Sequence, residues 1–243
     1  MDNNAIREQQ SSRNLQTVNN WERAKRHRSH IYTLLERQTR CPLLRCFGAG
    51  NCNDLDLLRL LNHYAAIELV DIDGVAMSSA LARQNISANH PIQIIGEVDL
   101  SSGDFQTNEL ADVTLSGCLF TQLVEQQTEA MATDFESIAN YRQQHLNMLI
   151  KTTKPGGTVF FVTDILSDLT ARELPGIPTG QLNGFLSNAI KHRNFFTGTN
   201  PFAIAKQLSA DARIRDHKLL DAWTWKLGAR LFAVYGFEIT LET

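Results

Sequence analysis

The stretch that most constrains this chain is PLLRCFGAGNCNDLDLL, followed by AIELVDID. The apolar run Leu43–Phe47 ends in Gly48-Ala49-Gly50, and a second run, Ala66–Val70, ends at Asp71. Short apolar runs bounded by proline, glycine or polar turns read as buried strands. Leu55, Leu57, Leu58, Leu60 and Leu61 predict a helix over 53–63 between them. Such a strand, glycine turn and helix start would collect backbone N–H groups and a helix dipole at the strand's carboxyl end. Glycine suits that turn because a ligand there touches the backbone. An acidic residue at the tip of the next strand can accept hydrogen bonds from both hydroxyls of a ribose.

The rhythm continues downstream. A helix is expected over 75–84, a strand over Ile92–Gly96 leading to Asp99, and a strand over Ala111–Ser116. The run Glu129–Thr152 predicts a long helix, with Met131, Phe135, Ile138, Leu146, Leu149 and Ile150 on its apolar side. Pro155-Gly156-Gly157 marks a turn before a strand over Thr158–Thr163. Strands that alternate with helices and are apolar throughout imply a sheet covered on both faces. Near the end, His217–Lys226 and Ala229–Leu241 read as two strands joined at Leu227-Gly228 without a helix between them. The fold class expected is α/β: a doubly wound, mostly parallel seven-stranded sheet with an antiparallel C-terminal hairpin. Residues 1–12 look frayed and 14–39 helical, so residues 1–40 form a helical cap and 41–243 the main domain. The long insert 166–200, with Pro175, Pro178, Phe195 and Phe196, reads as a lid over the ligand.

The net charge of −3 creates no field that would draw nucleic acid or anionic lipid. The run Arg23-Ala-Lys-Arg-His-Arg reads as the solvated face of a helix. No apolar run approaches the roughly 20 residues of a membrane span, and the N-terminus lacks an apolar signal segment, so a cytoplasmic monomer or homodimer is expected. Cys41, Cys46, Cys52 and Cys118 fit no common zinc spacing; reduced thiols and no metal are expected.

A dinucleotide fingerprint, G-x-G-x-x-G/A, needs a small third residue, and Asn53 stands there. That disfavours an NAD-dependent oxidoreductase and suits a ligand without phosphates. From about Leu43 onward the chain resembles the class I, Rossmann-like S-adenosylmethionine-dependent methyltransferases. The resemblance implies that Gly48, Ala49 and Gly50 hold the methionine part of S-adenosylmethionine. It places Asp71, with Ile72 after it, at the ribose, and Asp99 and Leu100 of Val98-Asp99-Leu100 at the adenine. Ser116-Gly117-Cys118-Leu119 would face the transferred methyl group. Leu149 through Gly157 and Tyr235-Gly236-Phe237 match the family's later turn and last hairpin. The family often has an acidic residue where this chain has Cys46, so Asn53 or Asp54 is the expected acceptor for the cofactor's amino group. The Asn/Asp-Pro-Pro-Tyr/Phe signature of base methylation is absent, which points to a small-molecule acceptor.

The candidate catalytic bases are Asp164, His145, His192 and His217, with Trp21, Phe195 and Phe196 as candidate pocket walls. The competing readings are a non-catalytic binding module with a vestigial cofactor site, which Cys46 favours, and an aminopropyltransferase, for which no acidic polyamine motif is found.

Overall fold

Strand β1 (Cys41–Phe47) forms because its last five residues, Leu43 to Phe47, are buried side chains that pack in a pleated sheet, with Pro42 confined to its start. In the computed structural model, which describes residues 3–38, 41–130 and 134–243, β1 pairs in parallel with β2 (Tyr64–Val70) and β4 (Ala111–Gly117). β2 pairs in parallel with β3 (Ile92–Ile95), and β4 with β5 (Thr153–Ser167). β8 (Arg230–Leu241) lies antiparallel to β5 and carries two shorter antiparallel strands, β6 (Ile214–Leu219) and β7 (Trp223–Leu227), on its far edge. The sheet order is β3-β2-β1-β4-β5-β8-β6, with β7 off that path.

The expected topology is present with eight strands rather than seven. The run 217–226 is interrupted because β6 follows the end of β8 and β7 its start. Asn183 bridges the gap, accepting from the Ala222 N–H at 3.0 Å and donating to Asp221 at 2.9 Å.

Alternate side chains divide between two cores. Phe47 and Phe161 point to one face; Leu44, Cys46, Phe160 and Val162 point to the other. The first face is covered by α5 (Phe120–Ala130), α6 (Phe135–Lys151), α7 (Leu182–Lys191) and α8 (Pro201–Ser209). The second is covered by α2 (Lys25–Leu35), α3 (Leu57–Leu60) and α4 (Gly74–Arg83). The long helix expected over 129–152 begins instead at Phe135, where Asp134 caps it by accepting from the Ser137 N–H at 2.8 Å. Met131 lies outside the described residues. The N-terminal segment is a helix already from Asn3, α1 (Asn3–Thr17), separated from α2 by a turn.

Two further expectations are corrected. The helix over 53–63 shrinks to the four residues of α3. Asn51 and Asn53 spend their side-chain N–H groups on α1 carbonyls, and Asp56 caps α3, so polar side chains compete with the helical ladder across the turn. The segment 166–200 is not an open lid: Leu174, Leu182, Leu186 and Ala189 are buried in the first core, and α7 runs through it.

Candidate functional site

Strand order reverses between β1 and β4, and open α/β sheets bind ligands in the crevice at such a point. A cavity of about 750 Å³ opens there. Its floor is the turn Gly48–Asp54 after β1 and Gly117-Cys118 after β4; its far wall is Asp164, Phe196, Trp225 and Phe232. The β7–β8 hairpin, Leu227 to Arg230, and the residues Arg13, Asn14 and Thr17 of α1 close the sides. A second, narrow slot of about 30 Å³ continues past Leu119 between Gln10, Asp71, Ile72, Asp99, Leu100, Gln122 and Gln126.

Glycine is required twice in the floor. Gly48 has φ +73°, and a Cβ there would meet Leu119 Cβ at 2.9 Å; Gly50 has φ +41°, and a Cβ would meet Asn14 Oδ1 at 3.0 Å. Cys52 and Cys118 also adopt positive φ, at 46° and 49°, which is strained for a side chain with a Cβ. Asp71 is buried and pinned: its carboxylate accepts from the Gly50 N–H and the Asp73 N–H, each at 2.9 Å. Burial pushes its pKa up, against the pull of those hydrogen bonds. Asp99 accepts from the Ser101 N–H at 2.9 Å and caps the turn Leu100–Ser102 while lining the slot.

Two of the buried side-chain oxygens that lack a hydrogen-bond partner among the described residues line this crevice: Asn53 Oδ1, in the large cavity, and Gln126 Oε1, in the slot. A buried polar atom without a partner is costly and marks a place where a donor is missing. Asp54 lines the same cavity, its carboxyl pushed up to about 6 chiefly by burial.

Asp164 reaches the cavity because of a bulge. The β5–β8 register shifts between Asp164 and Leu166, so Ile165 and Leu166 both enter the first core while Asp164 turns out of it. Bulges re-aim side chains in this way next to functional sites. Thr121 donates to Asp164 Oδ1 at 2.5 Å, and burial pushes the Asp164 pKa up to about 6.

The other candidate bases lie elsewhere. His145 is buried between Phe120 and Phe161 with Ser116 Oγ at 2.9 Å from its Nε2, and burial lowers its pKa to about 4. Ser116 therefore faces His145, not the cavity. His192 is exposed at the end of α7 against the Asn188 carbonyl, and His217 sits on β6 against Ser209. Phe195 packs on the first core, and Trp21 stacks under Arg28 at 3.5 Å. Of the basic run, His27 and Arg28 are buried; only Arg23, Lys25 and Arg26 are exposed.

Sequence reasoning missed Asn14, Gln10, Thr121, Gln126 and Trp225. Nothing in the pattern of a polar helix marks Asn14. Trp225 carried a faint signal, the alternation Trp223-Thr224-Trp225 in a strand.

No protein-family model matches this sequence, and no curated protein does either. Solved structures do match. The N-methyltransferase NodS from Bradyrhizobium japonicum WM9 aligns at a TM-score of 0.55 with 14% identity, over 93% of this chain and 98% of that one. The chain has the class I methyltransferase fold. NodS in complex with S-adenosyl-L-homocysteine matches this fold at a TM-score of 0.52 and 14% identity, covering 87% and 86% of the two chains. YcgJ from Bacillus subtilis matches it at 0.57 and 8% identity, covering 90% and 99%. The methyltransferase-like sheet here differs from the expected one in its divided β6–β7 edge. Among the described residues no helix is long and apolar enough to cross a membrane.

Proposed function

We propose that this chain transfers a methyl group from S-adenosylmethionine to a small-molecule acceptor. The observation that carries the reading is the pair of partnerless buried acceptors, Asn53 Oδ1 and Gln126 Oε1, at opposite ends of the crevice where the sheet order reverses. Asn53 and Asp54 would hold the cofactor's amino group in place of the acid missing at Cys46. Gly48, Ala49 and Gly50 would back its methionine part, Asp71 and Ile72 its ribose, and Asp99, Leu100 and Gln126 its adenine. When bound, S-adenosylmethionine supplies an electrophilic methyl group on a sulfonium. The chain's own part is to hold that group's charges, exclude water with Phe196, Trp225 and Phe232, and orient the acceptor beside Asp164. A cavity of about 750 Å³ has the size of a small-molecule site and suits a small acceptor.

Adenosine entry requires α1 to lift. Asn14 donates to Asp73 at 3.0 Å and fills the space over Gly50, while Gln10 donates to Gln122 at 3.2 Å across the slot. The same closure favours a second reading, a binding module whose cofactor site is vestigial. One titration separates them. Under the first reading, adenosylhomocysteine at about 100 times its Kd stabilises the fold by about 2.7 kcal/mol, or roughly 5–10 °C in Tm. No shift at about a millimolar ligand overturns methyl transfer and leaves the vestigial site.

A further inference from the structure

We propose that the methyl acceptor is a protonated amine, held by Asp164 against the aromatic wall of Phe196, Phe232 and Trp225. The proposal rests on the methyl-transfer reading above and names the acceptor class for the same cavity.

The charge balance of the cavity argues for it. Its charged lining residues are Asp54, Glu125 and Asp164 against Arg13 and Arg230. Arg13 is taken up by Glu125 at 2.9 Å. Neither Asp54 nor Asp164 has a salt-bridge partner among the described residues, and both flank the buried Cys118 thiol, whose pKa their charges help to raise. Arg230 also lines the cavity, and Arg28 lies close enough to favour the charged form of Asp54, which with Asn53 faces the donor's ammonium. No such cation acts on Asp164 among the described residues, and a buried carboxylate without a counter-cation attracts one.

The aromatic side chains that line the cavity together with Asp164 suit a cation. Trp225 and Phe232 have ring centroids 5.6 Å apart, and Phe232 and Phe196 6.4 Å. The back of Trp225 stacks on His27 at 4.9 Å. Burial holds His27 neutral, with its pKa lowered to about 3, and Trp223 Nε1 donates to its Nδ1 at 2.9 Å. The ring stacked behind the indole is therefore uncharged and does not itself weaken the attraction for a cation in front. An alcohol could donate a hydrogen bond to the carboxylate but would gain neither the ion pair nor the cation–π contact, and a carboxylate acceptor would be repelled.

The step balances. The ammonium gives one proton to Asp164; the freed nitrogen lone pair forms the N–C bond as the donor's C–S bond breaks, its electron pair staying on sulfur. The proton then leaves Asp164 for solvent. The groups facing Asp164 leave it free for this duty. Glu125, on α5, is paired with Arg13. Burial pushes Cys118 and Tyr235, on β4's loop and β8, well above their ordinary ranges, so both stay neutral.

The test is calorimetric titration of the full chain, with adenosylhomocysteine saturating and then absent, using benzylamine and benzyl alcohol as probes and a panel of secondary and tertiary arylalkyl amines. The expected result is binding of at least one ammonium probe about tenfold or more tighter than its alcohol counterpart. Asp164→Asn, which keeps the shape and the Thr121 contact, removes that preference; Phe196→Leu reduces it several-fold. Affinity rises as the pH is taken up through about 6, where Asp164 ionises. Equal binding of amines and alcohols, no amine binding across the panel, or a preference that survives Asp164→Asn overturns the proposal. If adenosylhomocysteine fails to bind while the Asp164-dependent preference persists, the donor reading fails and the amine site stands. If adenosylhomocysteine binds and the preference is absent, the amine assignment alone fails.

Discussion

Asp164 is a carboxylate that the fold buries at a cost. Its pKa of about 6 lies above the ordinary 3.8 because burial outweighs the Thr121 hydrogen bond. Below pH 4 the group is protonated in folded and unfolded chains alike and costs nothing. As pH rises through about 6, the unfolded chain has already released this proton and the folded one releases it against burial, so stability falls by about 3 kcal/mol at most. Asp164→Asn is therefore expected to melt roughly 5 °C or more above the parent at pH 8 and level with it at pH 4. Tm measured across that range checks it, and a difference independent of pH would show that the carboxylate carries no such cost. Residues of this kind trade stability for a ready charge. Asp71 and Asp164 were legible in the sequence because each stands at or near the end of an apolar run. Arg45 was not: a charged residue inside such a run gave no hint that Glu68, across the β1–β2 register, would meet it at 2.6 Å and the Glu109 and Thr152 carbonyls would complete its shell.

Among elements, α1 is the one whose role the structure redefines. Its described side chains contribute no buried apolar residue; Leu15 is 75% exposed. Among the described residues it is held by polar contacts: Arg7 to Glu97, Gln10 to Gln122, Arg13 to Glu125, Asn14 to Asp73, and Asn51 and Asn53 to its carbonyls. A helix so attached opens at low free energy compared with one that seals a core. Removing the Asn14 contact makes opening cheaper by about 0.5–1.5 kcal/mol, so Asn14→Ala is expected to tighten adenosylhomocysteine binding about 2–10-fold. Calorimetry decides the matter; weaker binding would mean that Asn14 holds the ligand rather than the latch. The strands were legible because burial on both sides leaves a continuous apolar run. The turn after β1 was not, because five leucines promised a helix that Asn51, Asn53 and Asp56 prevent. Cover for the site was expected from 166–200 together with the N-terminal helices; Leu174, Leu182, Leu186 and Ala189 of the former pack into the first core, whereas α1 lines the large cavity.

At the scale of the whole molecule, both apolar cores share one sheet, and the helical segment before β1 is fastened to it by Ile31, Leu34 and Leu35 of α2. All three tryptophans lie at this corner: Trp21 under Arg28, Trp223 and Trp225 against His27. Their fluorescence thus reports the docking of α2, whereas far-UV circular dichroism reports the sheet and all the helices. The two unfolding curves are expected to coincide in urea, since one shared core makes one cooperative unit. Separate midpoints would show that α2 melts as a unit of its own. The alternation of strands and helices made this architecture readable, including the reversal at β1 and β4. The split of the last edge into β6 and β7 escaped notice because Leu219-Leu220 and Ala222-Trp223 are as apolar as a strand, while what parts them is the Ala222 N–H turning from β8 to the distant Asn183 side chain. That division makes β7 and its two-residue turn, Gly228-Ala229, a hairpin that lines the large cavity and pairs with the first half of β8. Gly228 projects into open space. The hairpin's length therefore bears on the depth of that cavity. Lengthening or shortening it by residue pairs is expected to change the room for a ligand in steps, with the turn after β1 and both cores left as they are.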